Sequence, residues 1–425
     1  MTGLVLGVLL ATVDLGGLFS SGGAWSTTAD DFAVEHAADG FVFASQKRDI
    51  VNCLRRGAAT WLGHEVWETR VYFAPPGGAV RVELSLYNSG DRRAEDACGK
   101  TDVERLVAEI DAAFGTGGKP PKRERTKLKS GGSQLRTSWD RGEPAVELVW
   151  GVGDDQGEDV RFVRVTLKPH AEGRPRAIAK PLSGQAAAAK VKANVKRNAE
   201  GDVWIDGVPM VDQGRKGYCA AAVSERVLRY YGHAVDEHEV AQQAGSEAEG
   251  GTRTSDMIET VKTLGSKYRL GFNQLVSMSG SIGDLDKEIE QYNKAAKALK
   301  EEELSLQMFR RGNMIMVGDF YEAMKPKVLK RMRIKDARYK KFLLGVKTQV
   351  DKGVPLCWGV TLGIYPEPGV NIQSRGGHMR LVIGYNAKTH EVLYTDTWGA
   401  GHELKRMPED WAFAITHNLF FLRPL

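Results

Sequence analysis

Two polar residues in the segment Val208–Ala222, which reads VPMVDQGRKGYCAAA, have types and spacing suited to chemistry. Gln213 and Cys219 stand six positions apart with Gly214 and Gly217 between them. The apolar residues Val223, Val227, Leu228 and Tyr231 share one face of a predicted helix that follows the cysteine and ends at Gly232. A thiol at a helix N-terminus feels the positive end of the macrodipole, which favours the thiolate, the nucleophilic form. The glycines permit a tight loop that returns the Gln213 amide toward the sulfur, where its NH2 and the Cys219 backbone N–H can bind the oxyanion of a tetrahedral intermediate. Taken alone, Cys219 reads better as a buried cysteine in a helix turn, since free cysteine is among the most buried residue types.

A second pair of side chains changes that balance. In Gly376–Tyr385, GGHMRLVIGY, His378 opens an apolar strand, and in Val392–Gly399, VLYTDTWG, Asp396 ends the next one. The turn Asn386–His390 joins them as a hairpin, so His378 and Asp396 are expected to be neighbours. A carboxylate there fixes the imidazole tautomer and leaves the other ring nitrogen for the thiol. Trp398 is placed to roof that hydrogen bond.

In order along the chain, Gln-x5-Cys at a helix start, Gly-His-x-x-x-Val-x-Gly-Tyr and Asp-x-Trp-Gly resemble the papain-like cysteine peptidases. They resemble most the bacteriocin-processing (double-glycine leader) peptidase family, over residues 202–425. The resemblance implies Cys219 as nucleophile, His378 as general base and acid, Asp396 as the orienting acid and Gln213 as oxyanion donor. It further implies no cofactor and no metal, and a protein or peptide substrate cut at peptide or isopeptide bonds through a thioester. Transglutaminase-like acyl transfer, with the same Cys, His, Asp order, is the alternative activity, and an inactive peptidase-like binding module is the alternative class. Two departures from the family stand out: Gly245–Val354 is longer and more charged than a minimal peptidase needs, and no transporter segments follow.

The elements that must position these residues are legible in part. After the cysteine helix come a short helix capped by Asp236 and Glu239, then helices at Ser255–Leu264, Asp284–Glu303, Tyr321–Met332 and Ala337–Lys352. Strands follow at Val354–Leu362, Met379–Tyr385, Glu391–Asp396 and Leu419–Leu422. Helices first and an antiparallel sheet last define the expected α+β, papain-like C-terminal half.

Residues 29–168 are expected to form a separate α+β domain of unknown role and unknown ligand. Strands are predicted at Trp67–Phe73, Val80–Tyr87, Glu147–Trp150 and Val160–Leu167, with a helix over Thr101–Phe114 opened by a Thr101/Glu104 capping box. Gly115–Ser133, rich in Gly, Pro and basic residues, reads as a solvated loop. Residues 169–201 read as a linker in which Gln185–Ala189 forms a short helix. The apolar stretch Gly3–Val13, followed by small residues, reads within residues 1–28 as a signal peptide or its remnant, or else as a buried element of the first domain. The former implies a secreted or cell-envelope protein, the latter a cytoplasmic one.

Composition excludes several classes. The chain has 425 residues, 42% hydrophobic and 27% charged, as a soluble globular protein has. Its net charge of +5 is too small to argue for nucleic acid. No run beyond residue 30 is apolar enough to span a bilayer. Four cysteines are too few for a disulfide scaffold, and neither CxxC nor HExxH spacing occurs. Cys53 and Cys98 can pair if the protein is exported, or remain buried thiols. Cys357 reads as core, and His36, His64, His233, His238, His390, His402 and His417 have no partner motif.

Overall fold

The computed structural model describes residues 12–20, 23–74, 76–93, 95–115, 120–128, 131–140, 142–154, 158–169, 184–246, 254–278, 282–312, 314–367 and 376–425. Most of the signal-peptide stretch and the linker centre, 170–183, lie outside them. The architecture is mixed α+β, built on two hydrophobic clusters that each centre on a large antiparallel sheet.

The N-terminal sheet has eight strands, in the order 42–43, 50–53, 68–73, 79–88, 160–168, 145–152, 133–139, 122–127. Its inner strands alternate or run fully buried, and the helix Lys100–Phe114 lays Val103, Leu106 and Ile110 on one face. That helix opens two residues earlier than the Thr101/Glu104 spacing suggests. Its N-cap is Gly99, whose N–H donates to Asp102 Oδ2 at 2.9 Å, because Asp102 stands three residues on and reaches back. Lys122–Lys127, expected as loop, is instead the edge strand: its backbone pairs with 133–138 while all six side chains stay exposed. Charges of both signs along an edge are a common guard against further strand addition.

The C-terminal sheet runs 195–197, 202–205, 376–386, 356–362, 416–424, 270–277, and the strand 391–395 pairs with 376–386 and with 405–408. The strand 270–277 has no clean sequence signal because a bulge between Gln274 and Val276 breaks its alternation. Pro326 splits the expected Tyr321–Met332 helix into Val317–Ala323 and Pro326–Arg333, with proline at the first turn of the second. The Ala run does form a helix, Gly184–Ala193, and with the strand Val195–Arg197 it belongs to the C-terminal half rather than to a linker, since Val191 is in that half's core. Cys53, Cys98, Cys219 and Cys357 are all unbridged thiols. Among the described residues no helix is long and apolar enough to cross a membrane.

Candidate functional site

Cys219 is the first residue of the helix Cys219–Tyr230, whose apolar face, including Val223, Val227 and Leu228, is buried against the C-terminal sheet. His378 sits near the start of the strand Gly376–Asn386, opposite Val360 of the neighbouring strand. Asp396 directly follows Thr395, which pairs with Leu381 across the hairpin, so the carboxylate comes level with the start of the histidine strand.

The three side chains meet. His378 Nε2 lies 2.5 Å from Asp396 Oδ1, and the His378 ring lies near enough to the Cys219 thiol for each to shift the pKa of the other. With Nε2 engaged by the carboxylate, Nδ1 is the ring nitrogen left for sulfur. Trp398 stacks on the imidazole at 4.5 Å between centroids and 12° between planes, as the sequence suggests for a roof over that bond.

The local charges favour an ion pair. Burial by itself would raise the Cys219 pKa, but the hydrogen bond and charge of His378, helped by the backbone of Met379 and Ala220, bring it below the ordinary thiol value. Burial likewise opposes a charged His378, yet Asp396 and then Cys219 push its pKa up to about 9. Asp396, fully buried, is held well below the usual carboxylate range: burial opposes this, but His378 and Arg380 outweigh it. By contrast, burial pushes the Cys98 and Cys357 thiols up to about 12.

Gln213 is brought to the same place by backbone pairing. Its N–H donates to Thr397 O at 2.9 Å, and its Oε1 accepts from the Thr397 hydroxyl at 2.5 Å. One N–H of its carboxamide donates to Lys216 O at 2.9 Å, closing the loop between Gln213 and Cys219. A primary amide carries two such protons, so one remains for a ligand. Gly214, at φ +64°, makes the turn inside that loop.

Several neighbours were not visible from sequence. Arg380, two residues past His378 and so on the same strand face, is fully buried; it binds Glu367 at 2.9 and 3.0 Å and approaches Asp396 Oδ2 at 3.2 Å. Arg226, on the cysteine helix, donates to Asp396 O at 2.5 Å, Thr395 Oγ1 at 2.8 Å and Pro209 O at 2.7 Å. Their one sequence signal is a cation on an otherwise apolar stripe. His238, expected without a partner, is buried 3.6 Å from Glu68. His64, expected without a partner, lies 2.5 Å from Glu109.

Glu68, Glu237 and His238 bring ligand-type atoms within 4.8 Å of one another, as a metal site does. The ammonium of Lys216 already serves as the cation there, bonded to Glu68 and 3.5 Å from Glu237.

No family model matches the chain, and no curated protein matches it. Among solved structures it is similar to the peptidase domain of Streptococcus ComA, a bifunctional ABC transporter involved in a quorum-sensing pathway. Identity is 11% and the TM-score 0.25, over 52% of this chain and 100% of that one. It is also similar to xylellain, a cysteine protease from Xylella fastidiosa, at 12% identity and a TM-score of 0.27, over 57% of this chain and 90% of the other. At these scores the likenesses carry no weight for residues or chemistry, which stand on the geometry of the site.

Proposed function

We propose that the protein is a cysteine peptidase that hydrolyses peptide or isopeptide bonds through a thioester. The observation that carries this reading is the buried His378–Asp396 pair, with the half-buried Cys219 thiol beside the imidazole and its pKa lowered by it. A thiolate facing an imidazolium is a nucleophile beside its own acid.

In the reaction, Cys219 Sγ attacks the scissile carbonyl carbon and the carbonyl electrons move onto oxygen. The free Gln213 amide proton and the Cys219 backbone N–H stabilise that oxyanion. Collapse breaks the C–N bond as His378 gives its proton to the leaving amine, leaving a thioester on Cys219. His378, now neutral, takes a proton from water; hydroxide adds to the thioester, and the carboxylic acid leaves as the thiolate and imidazolium are restored. Asp396 keeps Nε2 occupied throughout and favours the charged ring.

The test is covalent labelling with iodoacetamide followed by peptide mapping. The label is expected on Cys219 at a pH below that at which Cys53, Cys98 and Cys357 react. Cys219→Ala should remove both the label and all hydrolysis while leaving the circular dichroism spectrum unchanged. Hydrolysis persisting in that variant would reject the assignment.

A further inference from the structure

The loop that carries Gln213 is held from outside its own half of the chain. Arg70, on the strand Glu68–Phe73 of the N-terminal sheet, donates to Asp212 O at 3.2 Å, one residue before Gln213. Lys216, three residues after it, is buried with its ammonium bonded to Glu68 of the same strand and 3.5 Å from Asp91 and Glu237. Tyr218, the residue before Cys219, lies flush on Gly90, where an added Cβ would come 2.5 Å from the ring. Thus residues 212, 216 and 218 are each fastened to the N-terminal sheet or its 89–91 turn.

The fastening bears on one atom above others. The carbonyl of Lys216 accepts the Gln213 amide at 2.9 Å, so the position of Lys216 orients the carboxamide plane and the direction of its second N–H. The Cys219–His378–Asp396 contacts involve neither Lys216 nor the N-terminal sheet. The amide donor therefore has two supports: Thr397 of the C-terminal half holds its Oε1, and Lys216, fastened to the N-terminal sheet, holds one of its N–H groups.

We infer that the N-terminal domain is a working part of the site, and that Glu68 and Lys216 are positioning residues which aim the Gln213 amide at the oxyanion. This rests on the peptidase reading above, in which Gln213 is the oxyanion donor. A donor about 1 Å out of place loses much of its effect, and removing one oxyanion donor costs on the order of a hundredfold or more in turnover. Desolvated opposite charges that bond well hold a loop in one place, and stripping one partner leaves the other uncompensated.

Two probes separate aim from nucleophilicity. Ester hydrolysis builds an oxyanion, whereas alkylation by iodoacetamide displaces iodide at a saturated carbon and builds none. In the full-length protein, Lys216→Met and Glu68→Gln should each lower turnover of p-nitrophenyl acetate at least tenfold. The rate of Cys219 alkylation should stay within twofold of the unaltered protein, and its pH midpoint should not move. Gln213→Ala added to Lys216→Met should cost less than Gln213→Ala costs alone, because both changes act on one donor. Gly90→Ala, which disturbs the Tyr218 contact without touching a charge, should show the same split and serves where Lys216→Met does not fold. Unchanged ester turnover overturns the inference, as does a parallel fall in turnover and alkylation, which would mark general damage. Absence of Cys219-dependent ester turnover in the unaltered protein would instead sink the peptidase reading, and this inference with it.

Discussion

Asp396 carries several restraints on a single carboxylate: Oδ1 takes His378 Nε2 at 2.5 Å and Thr397 N–H at 3.0 Å, while Oδ2 faces Arg380 at 3.2 Å. Its charge is the leading cause that lifts His378 to about 9 against burial. Because the raised pKa belongs to a base, the imidazolium is present below about pH 9 and lost above it. Because the thiol pKa is lowered, the thiolate persists below the ordinary thiol range. Activity against pH should therefore be bell-shaped, with limbs belonging to the Cys219–His378 pair rather than to either group. Asp396→Asn should move the alkaline limb down toward the ordinary imidazole value and lower turnover on the order of a hundredfold or more. A profile with the alkaline limb unmoved would detach Asp396 from His378. At this scale the sequence was informative where residue types recur in a chemical pattern, as with Gln213, Cys219, His378 and Asp396. Arg226, Arg380 and Lys216 escaped notice because a single cation in an apolar or glycine-rich stretch names no partner until the chain has folded.

At the scale of elements, the turn after Asp396 is as constrained as the strands. Gly399 has φ +74°, and a Cβ there would meet Asp212 Oδ2 at 2.3 Å, in the residue beside Gln213. Gly399→Ala therefore strains its own backbone, at about 1–2 kcal/mol, and also pushes on the Gln213 loop. The expected result is a lower denaturant midpoint together with reduced ester turnover; a fully stable and active variant would show that this contact gives way freely. Strong period, and for the helix a terminating Gly232 at φ +87°, made the cysteine helix and the histidine hairpin readable. Where a local defect interrupts the period the reading failed, as with the bulge at Gln274/Val276 and the break at Pro326. The Asp236 cap was read correctly, for its carboxylate accepts His238 N–H at 2.9 Å, but the box was not closed: Glu239 turns instead to Arg164 at 2.7 Å.

For the whole molecule, the meeting of the two halves is a buried field of charge. Arg70 bonds Glu237 at 2.7 Å, and Arg164 reaches Asp236 at 3.1 Å and Glu239 at 2.7 Å, all across from the N-terminal sheet to the short helix after the cysteine helix. Removing one such cation leaves carboxylates without compensation, so Arg164→Met should cost about 3–5 kcal/mol in a denaturant titration. A change under about 1 kcal/mol would class the pair with exposed ion pairs. None of this interface was legible in sequence, because pairing between residues 70 or more positions apart leaves no local period. The histidine strand, by contrast, is hydrogen-bonded along both edges, to 356–362 on one side and 391–395 on the other. The pairing with 356–362 is the one that covers His378 itself, while the opposite wall, the glycine-bearing stretch ahead of the sulfur, is held by Thr397, Arg70 and Glu68. Its distant grip lies on the strand Glu68–Phe73, so a displacement of that one strand reaches the jaw without touching the nucleophile.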